Sequence, residues 1–314
     1  MKNTIKSGLL GVAIGDALGV PVEFKTRDNL KQNPVTDMLE FMCWNQPRGT
    51  FSDDSSLAFC TAESLCRGFD IEDMAQTFVK WMVEGYWGAH YKVFDIGGTT
   101  KHSLLRVVKG ESAEFSGNFF DEDNGNGSLM RILPLVFYLQ KEKDIEIIYR
   151  KVKAVSSITH AHFRSVFACF IYVLYCLEIL KDKDKFEAYK DMKVVLSKFL
   201  EDKKYNPAEI QLFDRILKYD MLYVESEIQS SGYVLHSLEA SFWCFLNADS
   251  YEETVLRAVN LGGDTDTTAA IAGGLAGIYY GLDNIPEKWI EHLVRVNDIK
   301  DLAERLADNL NKNI

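Results

Sequence analysis

Glycine recurs along two stretches of this chain at the spacing of a single helical face. Near the start, Gly8, Gly11, Gly15 and Gly19 stand three and four residues apart; near the end, Ala269, Gly273, Gly277 and Gly281 recur every four. Residues so spaced share one side of an α-helix, so each stretch predicts a helix with a stripe free of side chains. A glycine inside a helix costs about 1 kcal/mol relative to alanine, and its repetition points to backbones in close approach. Central helices packed in this way can hold two distant parts of the chain at one place.

Two acidic clusters are the parts in question: Ser52-Asp53-Asp54-Ser55 and Gly262-Gly263-Asp264-Thr265-Asp266-Thr267-Thr268. Each offers two carboxylates and flanking hydroxyls, an all-oxygen set that suits Mg²⁺, Mn²⁺ or Ca²⁺. Asp264 and Asp266 would point about 200° apart on a continuous helix, so they converge more readily on the turn entering it, where Gly262 and Gly263 supply the bend. Asp53 and Asp54 stand likewise at the entrance of a helix predicted over residues 55–67. Either cluster alone reads as ordinary capping, since Asp, Ser and Thr are favoured N-caps and carboxylates suit the positive end of a helix. A cap needs one short side chain, however, and four carboxylates brought together repel unless a cation neutralises them. That surplus favours a metal site.

Composition narrows the class. A chain of 314 residues with 47% hydrophobic content can bury a large core as one domain or two modest ones. Its formal charge of −11 argues against a nucleic-acid partner, which needs clustered Lys and Arg. The six cysteines (Cys43, Cys60, Cys66, Cys169, Cys176, Cys244) form no CxxC pair and several lie in apolar stretches, so they read as reduced core residues in a cytoplasmic protein. No signal peptide is expected, because the apolar stretch after the N-terminus lacks a cleavage pattern and soon meets Asp16. The greasy runs 166–177 and 267–282 fall short of the roughly 20 residues a spanning helix needs, so no membrane partner is expected.

Helical patterning covers most of the rest. Residues 55–67, 73–83, 145–156, 164–180, 194–201, 233–246, 252–259 and 288–294 carry amphipathic spacing, and only six prolines interrupt the chain. Alternating strand patterns with Asn-Gly turns are nearly absent, which predicts a compact all-α domain. Residues 181–193 alternate Lys with Asp and Glu, the pattern of a solvated helical face or connector.

In this order, a series of short motifs resembles the ADP-ribosylglycohydrolase family: Gly15-Asp16-Ala17-Leu18-Gly19, Pro21-Val22-Glu23-Phe24, the Ser52 cluster, Asp95-Ile96-Gly97-Gly98-Thr99-Thr100, Gly125-Asn126-Gly127-Ser128-Leu129-Met130-Arg131, Thr159-His160, Ser231-Gly232-Tyr233-Val234, and the Gly262 cluster. The resemblance runs through nearly the whole chain. It implies a single domain over 1–314 and an orthogonal helical bundle with a central two-metal cleft; the stretch 181–220 is least like the family and reads as a peripheral helical insertion. It also implies two divalent cations, Mg²⁺ or alternatively Mn²⁺, held by Ser52, Asp53, Asp54, Asp264, Asp266 and Thr267. Ser52 replaces the family's usual threonine and keeps the hydroxyl; Gly98 stands where asparagine is common, which bears on substrate positioning.

By the same resemblance the chain is a metal-dependent hydrolase that cuts the glycosidic bond between ADP-ribose and an acceptor, with arginine on a protein as the expected linkage and a small-molecule conjugate as the other. Glu23 and Asp95 are assigned to orient water or leaving group, against the plain reading of each as a surface or capping carboxylate. Asn126, Gly127, Ser128 and Met130 belong to a glycine-bearing segment whose backbone N–H groups can cradle a diphosphate at a helix start, or which is simply a turn. His160 resembles the histidine near the distal ribose, and Tyr233 is a candidate for stacking on adenine or its ribose; each has a packing role as its plainer reading. Arg131 reads as structural. A monomer is expected. Two other readings compete. One is a non-catalytic, crystallin-like relative, which the full ligand set opposes. The other is a helical diphosphate enzyme of the terpenoid kind, opposed by Leu57 and Ala58 where its motif needs another acid.

Overall fold

The two glycine-striped segments are the facing helices at the centre of the molecule. The computed structural model describes residues 1–201 and 203–312. Among them the chain forms α1 (Lys2–Gly19), α2 (Arg27–Gln32), α3 (Asp53–Leu65), α4 (Ile71–Glu84), α5 (Gly98–Val108), α6 (Leu133–Leu139), α7 (Ile145–Ser157) and α8 (Phe163–Ile179). It continues with α9 (Lys185–Glu201), α10 (Pro207–Gln211), α11 (Asp214–Leu217), α12 (Val234–Leu246), α13 (Tyr251–Asn260), α14 (Thr265–Tyr280), α15 (Glu287–His292) and α16 (Val296–Lys312). No sheet forms among the described residues, only isolated bridges at Asn118–His160 and Gly125–Tyr233. The expected all-α, single-domain fold is what the chain adopts.

α1 and α14 run antiparallel with their backbones in contact. A Cβ placed on Gly11 would stand 2.3 Å from the Gly273 carbonyl oxygen, one on Gly15 2.1 Å from that of Ala269, and one on Gly277 2.3 Å from that of Ser7. No side chain fits there, which is why glycine is worth its helical cost. Tyr251 Oη on α13 donates to the Gly11 carbonyl at 2.8 Å, and Thr265 Oγ1 ties the start of α14 to the Gly19 carbonyl at 2.8 Å. Two stripe members do other work. Gly281 ends α14 at φ 80° with nothing near its missing Cβ, and Gly8 makes room for Phe137 rather than for α14's backbone. The segment Lys2–Val22 is long and apolar enough to cross a bilayer, yet 94% of its most apolar window is buried inside the fold, as a core helix requires.

Four helices, α5, α6, α9 and α16, differ from the sequence reading. α9 begins at Lys185, not 194: its Lys, Asp and Glu residues cover one face while Ala188, Tyr189, Met192, Leu196 and Phe199 bury the other. The stretch 181–220 therefore contributes to the common core, with Phe213 and Ile216 joining it from α10 to α11. α16 was not among the expected helices, although Ile299, Leu302, Ala303, Leu306 and Ala307 form its buried stripe against α1 and α3. Nor were α5 and α6, short helices whose ends carry Gly97-Gly98 and a proline.

Candidate metal centre and active-site cleft

The antiparallel pairing brings the C-terminal turn of α1, the N-terminal turn of α3 and the N-terminal turn of α14 to one spot. Asp16 comes from the first, Asp53 and Asp54 from the second, and Asp264 and Asp266 from the third. The positive ends of α3 and α14 thus face the carboxylates. Asp16, Asp53, Asp54, Asp266, Ser52 and Thr267 are buried, and Asp264 is half-buried. One carboxylate oxygen from each of Asp16, Asp54 and Asp266 lies within 4.8 Å of the other two, and the same holds for Glu23, Asp95 and Asp266. Asp266 belongs to both groups.

Hydrogen bonds fix these side chains. Asp16 accepts from the Ser52 backbone at 2.9 Å, from the Ser55 backbone at 3.0 Å and from Ser55 Oγ at 2.6 Å, so it braces the start of α3. Ser52 caps α3 and donates its Oγ to Asp54 Oδ2 at 3.0 Å; Thr267 Oγ1 reaches the same oxygen at 3.2 Å. The two hydroxyls therefore meet on Asp54 across the joint between α3 and α14. Asn126 Nδ2 donates to Asp264 Oδ2 at 2.7 Å and to Ser237 at 2.8 Å. Asp54 Oδ1 and Asp264 Oδ1 are buried and accept no hydrogen bond, a costly state for a carboxylate oxygen unless a cation takes it up.

Electrostatics agree with the geometry. Burial, then neighbouring carboxylates, push Asp53, Asp54 and Asp266 well above the usual carboxylate range. Burial raises Asp16 to about 6 against its hydrogen bonds from Ser55 and Ser52. Glu23 is raised to about 8, chiefly by burial and then by Asp95, Asp264 and Asp16, while the indole of Trp44 opposes the shift. Burial and Asp264 also raise Asp95. Such crowding of negative charge is what a bound cation relieves.

Above the carboxylates opens a cleft of about 290 Å³, walled by Glu23, Asp53, Asp95 and Asp264 together with Asn126, Gly127, Met130 and His160. A larger hollow of about 590 Å³ between α7, α8 and α9 holds no such chemistry. Gly127 is required where it stands, since a Cβ would meet His160 Cε1 at 2.8 Å. A Cβ at Gly98 would meet nothing within 4 Å, so the replaced asparagine leaves open space. His160 is buried, bonded through Nδ1 to Thr159 Oγ1 at 2.7 Å, and depressed to about 3 by burial and Arg131, so it works as a neutral group.

Some predicted positions lie elsewhere. Ser128 is fully buried, accepts from Ser156 Oγ at 2.9 Å, and does not line the cleft. Tyr233 is not among the lining residues either: its ring stands edge-on to His236 at 5.0 Å. The 126–131 segment is a turn rather than a helix start, closed by Leu129 N–H to the Asn126 carbonyl at 2.8 Å, and α6 begins only at Leu133. Arg131 has the structural role expected, donating to the carbonyls of Gly127 and Val155 from a fully buried position. Asp16 went unassigned in the sequence, although its place one residue after Gly15 on the packed stripe already put it at the helix joint.

Fold and site together define a helical enzyme with a carboxylate-lined cleft. The sequence model described as ADP-ribosylglycohydrolase matches residues 1–313. The chain is 33% identical over 307 residues to the ADP-ribosylarginine hydrolase Tri1 of Serratia proteamaculans, covering 96% of this chain and 78% of that protein. It is 26% identical to the ADP-ribosyl-[dinitrogen reductase] glycohydrolase of Rhodospirillum rubrum, with 90% and 88% covered. A solved structure described as an ADP-ribosylglycohydrolase-related protein complex superposes with a TM-score of 0.80 at 28% identity, covering 98% of both chains. The chain belongs to the ADP-ribosylglycohydrolase family and is a hydrolase of glycosidic bonds.

Proposed function

We propose that this protein releases ADP-ribose from arginine side chains of modified proteins, using two divalent cations, Mg²⁺ in the first place. The observation that carries the reading is the Asp16, Asp54 and Asp266 carboxylate group beneath the cleft, with Glu23 and Asp95 converging on the same Asp266 from the cleft wall. Asp54, Asp266, Asp264, Asp53, Ser52 and Thr267 offer the oxygens to hold the cations, with Asp16 added from α1. The unpaired Asp54 Oδ1 and Asp264 Oδ1 fit such a group. Bound there, divalent cations supply electrostatic activation of a water and of the ribose hydroxyls.

The chain's own residues supply the rest. Glu23 is largely protonated at neutral pH, and its Oε2 accepts from Trp44 Nε1, which leaves Oε1 to deliver a proton to the departing guanidine nitrogen. Asp95, beside it, takes the proton of the attacking water. As the bond to the anomeric carbon breaks, positive charge grows on the sugar, and the surrounding carboxylates stabilise it. Neutral His160 orients substrate without adding a competing cation, and Asn126 holds Asp264 in place. The relatives named as arginine hydrolases support the linkage. Incubating the protein with ADP-ribosyl-arginine and Mg²⁺ should release ADP-ribose, and a chelator should stop it. Absence of turnover on arginine, serine and small-nucleotide conjugates would refute the proposal.

A further inference from the structure

Next to the carboxylates stands an aromatic wall, of which the chemistry above uses only the indole N–H of Trp44. Phe24 lines the cleft beside Glu23 and is 70% exposed. Its backbone sits at φ 65°, a left-handed conformation that a bulky residue adopts only where its surroundings impose it. Those surroundings are visible: its N–H donates at 2.8 Å to the Gly263 carbonyl, in the turn that carries Asp264. Trp44 backs Phe24 with ring centres 6.3 Å apart, and meets Phe94 at 5.7 Å. Phe24 and Phe94 are the sequence neighbours of Glu23 and Asp95; of the three rings Phe24 is the one that lines the cleft, beside those two carboxylates.

Aromatic faces set among carboxylates suit one kind of ligand. A planar, delocalised cation stacks flat on a ring, gains from the ring quadrupole, and is drawn by the acids beside it; a neutral hydroxyl has no charge to offer. We infer that Phe24, backed by Trp44 and Phe94, is the acceptor subsite and selects a guanidinium. The acceptor arginine then stacks on Phe24 at the cleft mouth while ADP-ribose fills the cleft behind it. This rests on the hydrolase reading above and adds the residue that distinguishes arginine from uncharged acceptors.

The test compares Phe24→Tyr, Phe24→Leu and Phe24→Ala with the wild type on ADP-ribosyl-arginine, with calorimetric binding of free ADP-ribose as the reference for the rest of the cleft. Phe24→Tyr keeps the ring and should keep KM within about twofold. Phe24→Leu and Phe24→Ala should raise KM about tenfold, the size of a partly desolvated cation–π contact, with kcat little changed. The Kd for free ADP-ribose should stay within about twofold in all three, which also shows that they fold. A wild-type KM in Phe24→Leu, or an equal loss of affinity for free ADP-ribose, overturns the subsite. No release by the wild type itself would instead sink the hydrolase reading.

Discussion

Substituting Gly15 by alanine tests whether the packed stripe positions the site. The added Cβ would stand 2.1 Å from the Ala269 carbonyl oxygen and 2.5 Å from its carbon, both backbone atoms that no rotamer change can move. Reaching 3.4 Å, the lower edge of ordinary contact, forces α1 and α14 apart by about 1.3 Å. Overpacking of this kind costs about 1–3 kcal/mol, and the rigid neighbours place it at the upper end. Alanine's better helix propensity returns about 1 kcal/mol, leaving a net loss of about 2 kcal/mol. At about 2.1 cal/mol/K of unfolding entropy per residue, a chain of 314 residues then loses about 3 °C in Tm, read by circular dichroism at 222 nm. Activity should fall further than stability does. Asp16 is the next residue on α1 and Asp266 rides on α14, and a misplacement of about 1 Å can cost about a hundredfold in rate. Gly98→Ala, which meets nothing, is the control and should melt within about 1 °C of the wild type. A Gly15→Ala protein with wild-type Tm and turnover would refute the reasoning.

Asp266→Asn replaces the carboxylate common to both groups by a neutral amide, so ADP-ribose release should drop at least about a thousandfold while the helical spectrum stays normal. In chelator the same variant should melt above the wild type, because a crowded buried charge is gone; a lower Tm would contradict this. Folded Asp16 and Glu23, at about 6 and about 8, lie above their ordinary values of 3.8 and 4.5, so the folded state binds more protons than the unfolded one. Without metal their contribution is therefore full below about pH 4 and lost as pH rises through 6 to 8. Mg²⁺ held beside Asp16 displaces its proton, while Glu23 above the floor keeps its own, and should raise Tm more at pH 8 than at pH 6; equal shifts at both would count against a carboxylate site. Arg131→Met strands the carbonyls of Gly127 and Val155, at a cost of about 2–3 kcal/mol in urea unfolding, and an unchanged midpoint would show the guanidinium to be idle.

Much of this was legible in the chain because it rests on local periodicity. The stripes gave α1 and α14, and the paired acids at helix entrances gave the floor of the cleft. What escaped was tertiary. α16 carries a clear apolar stripe at Ile299, Leu302, Ala303, Leu306 and Ala307, but its charged face dilutes the signal, and nothing local says that α1 and α3 cover it. α9 was shortened for the same reason: alternating Lys and Asp at 181–193 mask Tyr189 and Met192 on the other face. Ser128 and Tyr233 sit within motifs that do approach the cleft, yet which way a side chain turns inside a short turn depends on neighbours such as Ser156 and His236. Asp16 shows the converse: its role comes from bracing Ser52 and Ser55, residues 36 and 39 positions away.

The most direct test of the central claim is a crystal of the protein grown with Mn²⁺ and measured at the manganese absorption edge. The account predicts anomalous peaks within about 2.2 Å of carboxylate oxygens of Asp54 and Asp266, between the turns of α3 and α14. Saturating Mn²⁺ with no peak there, or with peaks only on surface acids, would contradict it.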